Sequence, residues 1–152
     1  MTGSGEKQVT SDERIGTCRR IEHTADIGIR CRASTLERLF ECAARAMFEI
    51  IVPGGEVKPT DTARVTVEAV SLEELFVRWL EELLYIWESR RMLLSRFSIS
   101  TVSPEGLEAE VAGETYDATR HELHTEIKAA TYHGLQVEQK GDVWEAQVIF
   151  DV

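Results

Sequence analysis

The sequence predicts an α+β fold, an antiparallel-rich sheet packed against two helices. Two apolar stripes at helical spacing, each preceded by a short alternating run, supply the helices and their partner strands. The last third of the chain changes to short alternating runs with turn residues between them, and these supply the rest of the sheet. A length of 152 residues suits one domain, large enough to bury about 68–70% of its unfolded surface. The expected organisation is a flexible N-terminal leader over residues 1–17 and a single domain over residues 18–152.

The leader is rich in Gly, Ser, Thr and charge and lacks the apolar core of a signal peptide. Ile27, Ile29, Cys31 and Ala33 then alternate with Gly28, Arg30 and Arg32, the period of a strand with one buried face. Leu36, Leu39, Phe40, Ala43, Ala44, Met47, Phe48 and Ile51 form the first helical stripe. Ser34 and Glu37 have the spacing of a capping box, and Pro53-Gly54-Gly55 ends the helix. The unit recurs, with Val65, Val67 and Ala69 alternating before Ser71 and Glu74 open a second stripe from Leu72 to Trp87. Phe97, Ile99 and Thr101, a turn at Pro104-Glu105-Gly106, and Leu107, Ala109 and Val111 read as a hairpin. Glu126 to Tyr132 is a further strand, and Leu135 to Glu138 and Val143 to Phe150 flank a turn at Lys140-Gly141-Asp142. Trp144, Ala146, Val148 and Phe150 make the inward face of the last strand.

Charge narrows the function. A formal net charge of −10 is the wrong sign for a free-standing nucleic-acid binder, and suits basic protein partners or divalent cations. No segment approaches the roughly 20 apolar residues that span a bilayer. Cys18, Cys31 and Cys42 are odd in number and form no C-x-x-C pair, so the expectation is reduced thiols in a cytoplasmic protein. Gly-rich phosphate loops, H-E-x-x-H, G-x-S-x-G and EF-hand loops are all missing, which leaves no standard catalytic nucleophile.

Polar residues at strand ends draw attention instead. Asp26, in His23-Thr24-Ala25-Asp26-Ile27-Gly28, stands where a strand prefers a β-branched or aromatic residue; a turn Asp bonded to local backbone donors is the plainer account. Asp151 follows an apolar strand and Val152 adds the α-carboxylate, for which a solvated chain end is the plainer account. Together these oxygens are hard ligands of the kind Ca²⁺ or Mg²⁺ takes, provided the first and last strands are neighbours. Lys128 interrupts Ile127, Ala129 and Thr131, and could simply protect a strand edge. His121 and His124 lie in a polar segment without a third soft ligand, a poor zinc site. Arg90, Arg91 and Arg96 complement the dipole at the end of the second helix.

These residues resemble the archeases. The likeness rests on His23 to Gly28, the Leu36 to Phe48 pattern, Gly113-Glu114 with Asp117 and Arg120-His121, Ile127 to His133, and Val148-Ile149-Phe150-Asp151-Val152. It covers the chain from Arg20 onward, with Ala130 in place of a more usual Val. The resemblance implies an SHS2-like core and a non-catalytic role as activator of the RtcB-type RNA ligase in tRNA splicing and RNA repair. It implies that this role consists in promoting guanylylation of the ligase histidine and multiple turnover. It further implies a divalent metal ion, Ca²⁺ first with Mg²⁺ or Mn²⁺ as substitutes, held by Asp26, Asp151 and Val152, and a role for Lys128 in activating the partner. An RNA-binding or chaperone module acting on tRNA directly, or a metal-dependent hydrolase, are the alternative readings.

Overall fold

The computed structural model describes residues 6–10, 16–23, 26–54 and 56–152. Strands β1 (Glu6–Thr10), β2 (Thr17–His23) and β3 (Asp26–Ala33) precede helix α1 (Leu36–Ile51). Strand β4 (Asp61–Glu68) leads into helix α2 (Leu72–Arg90), and β5 (Met92–Ser103), β6 (Gly106–Thr115), β7 (Ala129–Lys140) and β8 (Val143–Asp151) complete the order. The strands build two antiparallel sheets where one was expected, a five-stranded sheet in the order β1-β2-β3-β8-β7 and a three-stranded sheet in the order β4-β6-β5. Each helix touches both sheets: α1 packs against β3 and β5, and α2 against β7, β4 and β5. The α+β class with two helices and antiparallel sheets is therefore as expected.

Local chemistry explains the helix starts. Ser71 has extended backbone and its hydroxyl accepts from the Glu74 N–H, while the Glu74 carboxylate accepts from the Val70 N–H, closing the capping box one residue before the cap. For α1 the expected box at Ser34 is displaced by one residue. Thr35 is the cap, with extended backbone and its hydroxyl accepting from the Arg38 N–H at 3.2 Å. Val52 ends α1 before the Pro53-Gly54 turn; Gly55, Thr24 and Ala25 lie outside the described residues.

The two stripes meet in one core. Phe40 and Phe76 make an edge-to-face pair with centroids 5.1 Å apart, and the buried Trp79 indole N–H donates to the Phe40 carbonyl at 2.9 Å. That bond joins the helices through a group that would be costly to bury unpaired. Ala146, Val148 and Phe150 are buried from β8 as expected, and Trp144 packs half-buried beside them.

Three further expectations need correcting. Glu6–Thr10, placed in a flexible leader, pairs with β2, whose outer edge offers backbone groups that a neighbouring strand satisfies; residues 1–5 and 11–15 lie outside the described residues. The two strands expected at Glu126–Tyr132 and Leu135–Glu138 are one strand, β7, whose pairing with β8 is irregular between Thr131 and Gln136; Glu126 to Lys128 precede it as irregular chain. Cys18 and Cys31 are not reduced thiols. They stand directly opposite in the β2–β3 register and form a disulfide, a proximity created by the hairpin and invisible in the spacing.

Candidate functional site

The strand order brings Asp26, Asp151 and Lys128 to one end of the five-stranded sheet. β3 begins at Asp26 and β8 ends at Asp151, and the Ile27 to Phe150 pairing carried one residue further sets the two aspartates opposite each other. On the other side of β8, Asp151 pairs with Ala129, and its carbonyl accepts from the Lys128 N–H at 2.7 Å. Asp26 is half-buried and Asp151 and Lys128 are exposed, while Val152 packs half-buried against the core. Hard carboxylate oxygens on adjacent strand ends fit a divalent cation such as Ca²⁺ better than a soft one. Among the described residues no ion pair engages the Lys128 ammonium.

The segment from Tyr116 to Lys128 carries no strand, yet it is pinned along its length. The Tyr116 N–H donates to Arg91 O at 2.8 Å, the His124 N–H to Ile51 O at 2.8 Å, and the Lys128 N–H to Asp151 O. At its root Glu114 accepts from the Arg120 guanidinium, from the Lys58 N–H at 2.8 Å, and from His121 Nε2 at 2.9 Å. His121 Nδ1 accepts from the Asp117 N–H at 2.9 Å, so the ring is the neutral tautomer with its proton on Nε2. The Arg120 hydrogen bond holds the Glu114 carboxyl down to about 2, against burial and with help from Lys58 and His121. Asp117 is lowered too, chiefly by the Thr119 hydroxyl and N–H, and Arg120 is raised by Glu114. His121 is thus a buried structural clamp, while His124 turns to the Thr125 hydroxyl at 2.9 Å; the pair shares no ligand position.

Beside this segment lies a cleft of about 450 Å³ lined by Trp87, Arg91, Leu123, His124, Glu126 and Lys128 among others. Arg91 caps α2 in the left-handed conformation, φ 53°, and lays its guanidinium 4.0 Å from the Trp87 ring centroid. Arg91, expected only to complement the helix dipole, also stacks on Trp87 and lines the cleft, neither of which was expected. The i, i+4 spacing of Trp87 and Arg91 was the available signal. Among the described residues the grouping of three His, Cys, Asp or Glu ligand atoms at metal-holding separation is Cys18, Cys31 and Cys42, away from this sheet end on β2, β3 and α1.

Comparison with known proteins agrees with the architecture. Residues 19–152 match the Archease protein family. The chain is 38% identical to the protein archease of Methanosarcina acetivorans over 136 residues, 87% of this chain and 93% of that protein. It is also 38% identical to the protein archease of Sulfurisphaera tokodaii over 132 residues, 86% of this chain and 95% of that one. In three dimensions it resembles the solution structure of Methanobacterium thermoautotrophicum protein 1598, with a TM-score of 0.76, 30% identity, and coverage of 89% of this chain and 98% of that one. It also resembles the crystal structure of a Thermotoga maritima protein described as an archease, possible chaperone, with a TM-score of 0.62, 26% identity, and coverage of 87% and 94%.

Proposed function

Since this chain belongs to the archease family, we propose that it is a non-catalytic activator of an RtcB-type RNA ligase in tRNA splicing and RNA repair. In this role it promotes guanylylation of the ligase histidine and repeated turnover. The observation that supports the reading is the start of β3 at Asp26 beside the end of β8 at Asp151, with Lys128 bonded through its main chain to Asp151 and lining a cleft. A net charge of −10 favours encounter with the basic surface an RNA ligase presents, and disfavours direct binding of RNA. A cytoplasmic location follows from the partner; no helix among the described residues is long and apolar enough to cross a membrane.

Asp26 and Asp151, with main-chain oxygens of Val152, would hold the divalent ion, Ca²⁺ first and Mg²⁺ or Mn²⁺ in its place. When bound, such an ion supplies positive charge against phosphate oxygens. The chain's own contribution is positional. The Glu114 clamp and the Lys128–Asp151 main-chain bond fix the segment that presents the Lys128 ammonium.

The test is transfer of labelled GMP from GTP to the partner ligase with and without this protein. Faster labelling and more than one joining event per ligase support the reading, with the chain alone inert toward GTP and RNA. An unchanged ligase, or a gel shift of tRNA by this chain alone, would move the function to the RNA itself.

A further inference from the structure

Cys18, Cys31 and Cys42 present their sulfur atoms within 4.8 Å of one another, and all three residues are 0% exposed. We propose that, once the Cys18–Cys31 bond is reduced, the three cysteines form a thiolate site for monovalent copper. Three elements bring the sulfurs together: Cys18 on β2, Cys31 opposite it on β3, and Cys42 on α1, which packs against both strands. Metal–sulfur bonds of about 2.3 Å place three sulfurs of one site roughly 4 Å apart, and these three already lie within 4.8 Å of one another. Ligand chemistry selects the ion. Thiolates prefer soft cations, and a set of three sulfurs with no fourth group suits copper(I), whereas zinc is nearly always four-coordinate in structural sites.

One further feature bears on access. A cavity of about 180 Å³ is lined by Gly16, Thr17, Arg32, Ala33, Ser34 and Val143, with Thr17 and Arg32 next in sequence to Cys18 and Cys31. Gly16, at φ +98°, lines it and packs close to Cys42: a Cβ on Gly16 would sit 3.3 Å from the Cys42 Cβ and against the Arg32 carbonyl.

The chemistry balances with a dithiol reductant. The dithiol gives two electrons and two protons to the Cys18–Cys31 bond, leaving two thiols and its own cyclic disulfide. Copper(I) then replaces thiol protons, which leave to solvent as copper–sulfur bonds form. Disulfide and metal are alternative states of the same sulfurs, so bound copper would hold the pair reduced.

The experiment titrates the full chain anaerobically with copper(I) against a chromogenic chelator, in the disulfide form, after dithiol reduction and removal of the reductant, and as the Cys42→Ala variant. The expected result is one copper per reduced chain, none for the disulfide form, and at least about tenfold weaker binding by Cys42→Ala, about 1.4 kcal/mol. X-ray absorption of the loaded wild-type chain should count three sulfur neighbours, which keeps the test decisive even if the variant fails to fold. No copper uptake by the reduced chain, equal affinity in Cys42→Ala, or only two sulfur neighbours would overturn the site.

Discussion

The main-chain N–H of Lys128 donates to the carbonyl oxygen of Asp151 at 2.7 Å, while the Lys128 side chain is exposed and carries no ion pair among the described residues. Position and chemistry are therefore separated in this residue: the backbone fixes where it is, and the ammonium is left at the surface. Lys128→Ala keeps the fixing bond. Its stability should stay within about 0.5 kcal/mol of wild type, while stimulation of the ligase falls at least about tenfold, the loss of one charged contact. Thermal unfolding and GMP transfer measured on the same preparation check both halves.

Glu114 gives a pH signature. Its carboxyl is held down to about 2 from 4.5, so the stability it contributes is fully present above about 4.5 and is lost as pH falls toward about 2. Glu114→Gln should cost about 1–3 kcal/mol near neutral pH, because Arg120 and the buried His121 lose a charged acceptor. The gap between the two proteins should then narrow on acidification through that window. Urea unfolding across the range measures it, and a gap that widens toward acid pH would contradict the assignment.

Gly113 tests the three-stranded sheet. It pairs with both Asp61 and Leu94, and a Cβ added to it would run into the Leu93 carbonyl oxygen. Backbone cannot swing aside as a side chain can, so Gly113→Ala should destabilise by about 3 kcal/mol or more. A melting temperature equal to wild type would mean that β5 and β6 do not approach in this way.

Calcium binding should follow the carboxylates. Titration calorimetry should find Asp26→Asn and Asp151→Asn at least about tenfold weaker for Ca²⁺ than wild type, since each removes an anionic oxygen from a hard-cation set. Equal affinity in either variant would take that residue out of the ligand set.

Sequence periodicity exposed what is local. The stripes of α1 and α2 and the inward face of β8 are burial patterns within one element, and Ser71 with Glu74 is a contact across one helical turn. Relations between distant elements were not legible. The Cys18–Cys31 bond spans 13 residues and depends on the β2–β3 register, and the split into two sheets depends on β6 taking β4 and β5 as its neighbours. Asp26 and Asp151 could be named from their unusual positions, but only the β3–β8 pairing, which reaches Ile27 and Phe150, makes their strands neighbours. Thr35 displaced Ser34 as the cap because neighbouring Ser and Thr offer the same oxygen, and backbone geometry decides between them.

The most direct measurement is guanylylation of the partner ligase by wild-type, Asp26→Asn and Asp151→Asn proteins under one divalent-ion concentration, each confirmed folded by circular dichroism. Wild type should accelerate GMP transfer, and both variants, which keep side-chain shape and lose charge, should stimulate at least about tenfold less. Stimulation by both variants equal to wild type would contradict the assignment of this sheet end as the activating site.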